Sequence, residues 1–88
     1  MDYITITGHL LALLDERGIE VRKEPMGGGQ GGLCSIKNKR IFFLDQDSAP
    51  LEMAASCAKA IGKTIEDIEG IYLKPVIREF IDKYGTEG

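Results

Sequence analysis

The chain has 88 residues, 43% of them apolar and 28% charged, the balance of an ordinary folded domain rather than a disordered one. Its net charge of −3, from 14 acidic and 11 basic residues, lacks the basic excess that nucleic-acid binding uses. The longest apolar runs fall far short of a bilayer span, which excludes a membrane-spanning helix.

One domain is expected over residues 1–88. A chain of this size buries only about 60–65% of its unfolded surface, a thin core that a second copy would help complete. The start, Met1-Asp2-Tyr3-Ile4-Thr5, has no positive flank, and the apolar segment after it ends in Asp15-Glu16. No signal peptide is read there, and a cytoplasmic location is expected. Cys34 and Cys57 form no CxxC and have no metal-ligand spacing. In a reducing compartment they read as two thiols rather than a disulfide.

Taken in chain order, Ile6, Leu10, Leu13 and Leu14 recur at helical spacing, with Thr5 or Thr7 as cap and Gly18 as stop. A helix is predicted over residues 5–17. The alternation Ile4-Thr5-Ile6-Thr7 also permits a strand over Tyr3–Thr7. Residues 19–24 alternate as a half-buried strand ended by Pro25. A second strand is expected over residues 33–37, a tight turn at Asn38-Lys39, and a third strand over residues 40–45. The unbroken run Ile41-Phe42-Phe43-Leu44 marks that third strand as central. Asp47, Ser48 and Pro50 open a helix predicted over residues 49–61 and stopped by Gly62. Its polar residues, Glu52, Ser56, Lys59 and Lys63, form one narrow stripe, so burial on more than one side is expected. Thr64-Ile65-Glu66-Asp67 reads as a capping box that opens one helical turn, closed by Gly70. A last helix is predicted from Pro75 to Tyr84, with Arg78, Glu79, Asp82 and Lys83 facing water. The fold expected is α+β, in the order α-β-β-β-α-α, with a small antiparallel three-stranded sheet and the helices on one face.

Five of the chain's 11 glycines fall within Gly27-Gly28-Gly29-Gln30-Gly31-Gly32. The tract formally contains G-x-G-x-x-G, but a strand follows it rather than the helix a dinucleotide site requires. No GxxxxGK[ST] is present. Two readings stay open: a mobile hairpin connection, or a backbone surface for an anion, a ligand or a partner strand. The candidate binding residues are Gly29, Gly31, Gly32 and Cys34, joined by Lys37 and Arg40. The cluster of Lys37, Lys39 and Arg40, with Arg22 and Lys23, reads either as a positive patch or as a solvated strand edge. Asp45 and Asp47 read either as cation ligands or as helix caps. The lone histidine, His9, rules out HExxH and leaves only a conceivable nucleophilic pair with Cys34. Double-stranded RNA-binding domains share the helix–three strands–helix order. They carry lysines at the start of the second helix, where this chain has Ala49-Pro50-Leu51-Glu52.

The stretch Gly28-Gly29-Gln30-Gly31-Gly32-Leu33-Cys34-Ser35-Ile36-Lys37-Asn38-Lys39-Arg40, the strand end Phe43-Leu44-Asp45 and the later Tyr72-Leu73-Lys74-Pro75-Val76-Ile77-Arg78-Glu79 resemble small uncharacterised bacterial proteins. Those share a GGGLC-x-hydrophobic-K-x-K hairpin and a YL-x-P-x-hydrophobic-RE helix start, and the resemblance implies no activity. The arrangement also looks like the core of zincin-type peptidases of the regulator-cleaving kind. Met53-Ala54-Ala55-Ser56-Cys57 stands where their HExxH would fall, so that resemblance implies a metal-free version. The function expected is a non-catalytic binding or assembly domain, without cofactor or metal, forming a homodimer or taking a protein or small anionic ligand. The alternative is a small cysteine-dependent enzyme centred on Cys34.

Overall fold

The computed structural model describes residues 1–28 and 31–85. Its elements are α1 (Tyr3–Glu16), β1 (Glu20–Glu24), β2 (Gly32–Ile36), β3 (Lys39–Asp45), α2 (Pro50–Thr64), a 3-10 turn (Ile68–Gly70) and α3 (Pro75–Tyr84). The α+β class and the order of elements are as expected. Asp2, rather than Thr5 or Thr7, caps α1, its carboxylate accepting the Thr5 N–H at 2.7 Å. That N–H holds the Asp2 carboxyl below its ordinary pKa. Residues 3–7 are therefore helical, and the strand alternative is not formed. Buried Thr7 fits inside the helix by donating its hydroxyl to the Tyr3 carbonyl at 2.8 Å.

The sheet order is β1-β3-β2, and the sheet is mixed rather than antiparallel. β1 runs parallel to β3, with Glu20 opposite Ile41 and Glu24 opposite Asp45. β2 runs antiparallel to β3, with Gly32 opposite Phe43 and Ile36 opposite Lys39. The correction has a simple cause. Two consecutive antiparallel hairpins would put β2 in the middle and the apolar run of β3 at an edge. Placing β3 at the centre buries that run. The chain from β1 then reaches β2 past the C-terminal end of β3, which leaves β1 parallel to it. The glycine tract is thus not a hairpin connection. Among the described residues the hairpin is β2–β3, and its turn is Lys37-Asn38, one residue earlier than expected. Both turn residues have positive φ, 50° and 67°, as a type I′ turn requires.

Along β3 the side chains alternate between two faces. Phe42 and Leu44, with Val21 and Leu33 beside them, join the helices in the core. Ile41 and Phe43 point the other way, and neither belongs to that cluster. Ile41 is nonetheless buried, flanked across the strands by Glu20 and Cys34.

α2 is the central helix. It packs against α1, α3, β2 and β3, burying Ala54, Cys57, Ala58, Ala60 and Ile61. Its N-cap is Ala49, so neither Asp47 nor Ser48 caps it with a side chain. Gly62 does not stop it. A Cβ at Gly62 would collide with the Gly85 carbonyl at the end of α3, so the glycine admits a close backbone approach. The helix runs on to Thr64, whose hydroxyl donates to the Ala60 carbonyl at 2.8 Å. The expected capping box is consequently absent, and the next turn begins at Ile68. Arg78 does not simply face water: its guanidinium donates to the Ile71 carbonyl at 2.6 Å, tying α3 to the segment before it. Among the described residues no helix is long and apolar enough to cross a membrane.

Candidate functional site

The chain leaves β1 beside Asp45 and returns at Gly31 against the carbonyl of Phe43. A Cβ at Gly31 would overlap that carbonyl oxygen and sit 3.2 Å from the Asp45 nitrogen, so only glycine fits. Gly27 and Gly28 have φ of 69° and 76°, conformations that glycine adopts without strain. Two carboxylates hold the departing end. Asp45 accepts the Met26 N–H and the Asp47 N–H, both at 2.9 Å, and Asp47 accepts the Gly27 N–H at 2.8 Å. These two aspartates therefore cap the glycine connection, not a helix. The sequence signal was an acidic residue at the end of an apolar strand, but nothing local shows that a donor to Asp45 lies 19 positions earlier and the donor to Asp47 20 positions earlier.

Asp45 is only 4% exposed, and its Oδ2 has no hydrogen-bond partner of good geometry among the described residues. Burial pushes the carboxyl's pKa up. The N–H groups of Asp47 and Met26, with the Ser48 hydroxyl and the Gly28 N–H nearby, outweigh that and leave it below the ordinary 3.8. A carboxyl whose folded pKa is depressed contributes stability that is full above the unfolded value and fades as pH falls through the folded one. Asp45→Asn is therefore expected to lower the urea midpoint at neutral pH, with the gap closing as pH drops from about 4 towards 2. A gap of constant size in urea titrations across that range would show that the charge contributes nothing.

Gly31 and Gly32 form a ridge between two hollows. On the helix side a groove of about 410 Å³ is lined by them, Asp45, Ser48, Ser56 and Lys59, so the polar stripe of α2 faces this groove. On the far side of the sheet a hollow of about 360 Å³ is lined by Met26, Gly31, Gly32, Cys34 and Phe43. Cys34 is exposed there. Gly29 lies outside the described residues. Lys37 sits in the hairpin turn, roughly 16 Å from Gly32 along an extended strand. Arg40 lines a separate hollow with Arg17, Ile19 and Lys39. The structure thus brings Gly31, Gly32 and Cys34 together and leaves Lys37 and Arg40 at the other end of the sheet. The basic cluster is also partly neutralised. Glu20 pairs with Arg22 and, at 3.0 Å, with Lys39. Those two partners hold the Glu20 carboxyl below its ordinary pKa.

His9 and Cys34 are not brought together. His9 lines a hollow with Leu13, Tyr72 and Ile77 on the helical side, while Cys34 lies on the sheet face that no helix covers. Cys57 is buried in the core, and burial pushes its thiol up to about 12, which leaves it protonated and inert. Among the described residues no group of three His, Cys, Asp or Glu side chains could hold a metal ion. No family model matches the chain, nor does any curated protein or solved structure.

Proposed function

We propose that this chain is a non-catalytic assembly domain that associates with a second copy of itself through its three-stranded sheet. The supporting observation is the one-sided packing. α1 and α2 pack on the face carrying Phe42 and Leu44, and α3 packs on those two helices. The opposite face carries Phe43 and exposed Cys34, with Ile36 at 49% and Met26 at 38% exposure beside them. Apolar side chains grouped on one face of a small sheet are what a protein contact uses. A self-complementary contact closes as a two-fold dimer, the commonest solution for a single chain type.

Sizing-column light scattering over a tenfold dilution is the test. The wild type is expected to run at twice the chain mass. Ile36→Lys, at a half-exposed position, is expected to run as a folded single chain with a stability change within about 0.5 kcal/mol. A wild-type mass of one chain throughout the dilution series would sink the assembly reading and return weight to a monomeric ligand-binding module.

A further inference from the structure

We infer that the contact between copies is an antiparallel pairing of two β2 strands about a two-fold axis at Cys34, an inference that rests on the assembly reading above. β2 bonds β3 on one side only, and α2 is the one other element that packs against it. Its outer edge is therefore open among the described residues. The two-residue turn makes Ile36 and Lys39 a hydrogen-bonded pair, and such pairs alternate along an antiparallel ladder. Cys34 and Gly32 accordingly turn their backbone groups towards β3. Leu33 and Ser35 turn theirs outward, to the free edge.

The two edges of the sheet differ in charge. β1 carries Glu20, Arg22, Lys23 and Glu24, the guarded edge that discourages strand addition. β2, with Gly32-Leu33-Cys34-Ser35-Ile36, carries no charge at all. An uncharged open edge in an otherwise charged chain is a template for another strand.

The sequence of β2 fits a copy of itself. With the axis at Cys34, Leu33 faces the partner's Ser35, and each such pair exchanges both of its backbone hydrogen bonds. Ile36, half exposed, falls opposite the partner's Gly32. A Cβ built on Gly32 meets nothing within 4 Å, so there is room for the isoleucine. Cys34 faces the partner's Cys34 at a non-hydrogen-bonded position, where the Cα atoms of an antiparallel pair are about 4.5 Å apart. Disulfide geometry accepts Cα separations of about 4.4–6.8 Å. The result is one continuous sheet of six strands with the guarded β1 edges outermost.

Disulfide trapping tests this on the full chain. Diamide removes two electrons and two protons from a pair of thiols and is itself reduced to the hydrazine. Wild type is expected to give a covalent dimer at a rate independent of protein concentration, as a preformed pair would. Cys34→Ser should give none, because buried Cys57 is inert. Ser35→Pro deletes an outward N–H and leaves the β3 ladder whole. It should run as a folded monomer and cross-link at least tenfold more slowly. Two results would overturn the β2 pairing while leaving the assembly reading standing: a dimer by mass whose Cys34 residues do not cross-link, or a Ser35→Pro variant that stays dimeric. A wild-type monomer by mass overturns both. Should Ser35→Pro fail to fold, the cross-linking of wild type against Cys34→Ser decides.

Discussion

Ala58→Glu is expected to unfold most of the protein under conditions in which Lys59→Glu leaves it intact. Ala58 has no exposed surface and belongs to the core cluster. It lies against the end of α3, since a Cβ on Gly85 would stand 2.9 Å from the Ala58 carbonyl oxygen. A carboxylate placed there has no water, no cationic partner and no room. The cost is about 4 kcal/mol or more. A domain this small has a total stability near the lower end of about 5–15 kcal/mol, so that loss removes most of it. Lys59, the next residue, is exposed and faces the groove beside Gly31 and Asp45. Reversing its charge should change stability by about 0.5 kcal/mol or less. Urea titration of the two variants checks the assigned face of α2, and equal losses would refute it.

Phe42→Ala should be nearly as damaging, at about 3–5 kcal/mol. Phe42 is fully buried at the midpoint of β3, with Val21 opposite it on one side and Leu33 on the other. Its ring therefore joins all three strands to the helical layer. The neighbouring Phe43 is the internal control. It points to the uncovered face and is half-buried, so Phe43→Ala should cost less than half as much in the monomer. Unfolding measured at concentrations below dimer formation separates the two. A larger loss for Phe43 would mean that the two faces of β3 have been assigned the wrong way round.

The extent to which the sequence disclosed this molecule follows from how local each signal is. The four consecutive apolar residues of β3 announced a central strand, although only the Phe42 and Leu44 side is covered by helices and Ile41 on the other side is sheltered by the flanking strands. Pro75 and Gly85 bounded α3 correctly because both act on the backbone within one turn. The narrow polar stripe of α2 marked a helix packed on several sides. What stayed hidden depends on distant partners. Gly62 has the composition of a stop signal, and only the arrival of Gly85 against it explains why the helix continues. Thr64 has the makings of a capping box, but its hydroxyl is taken by Ala60 once the helix extends that far. The direction of β1 relative to β3 depends on which side of β3 the chain passes, and no residue in β1 encodes that.

The candidate site divides in the same way. The glycine tract and Cys34 were visible as composition, and the structure does gather Gly31, Gly32 and Cys34 about one hollow. Lys37 and Arg40 were grouped with them by proximity in sequence, yet five residues of extended strand carry a side chain to the opposite end of a sheet. Asp45 was visible as a carboxylate, while its role in holding Met26 and Asp47 needed the three-dimensional path.

That path also decides what the chain experiences while it is being made. β1 is synthesised first, but the strand it pairs with, β3, follows some 20 residues later, after β2 and a turn. The β2–β3 pair closes through two residues and can form within microseconds of its emergence. Until then β1 is an unpaired strand with no sheet to join, the state in which nascent chains aggregate. Its residues, Glu20, Arg22, Lys23 and Glu24, are those that keep such a strand in solution. The charged strand is thus the one with the longer wait, while uncharged β2 meets its partner in the next segment to be made.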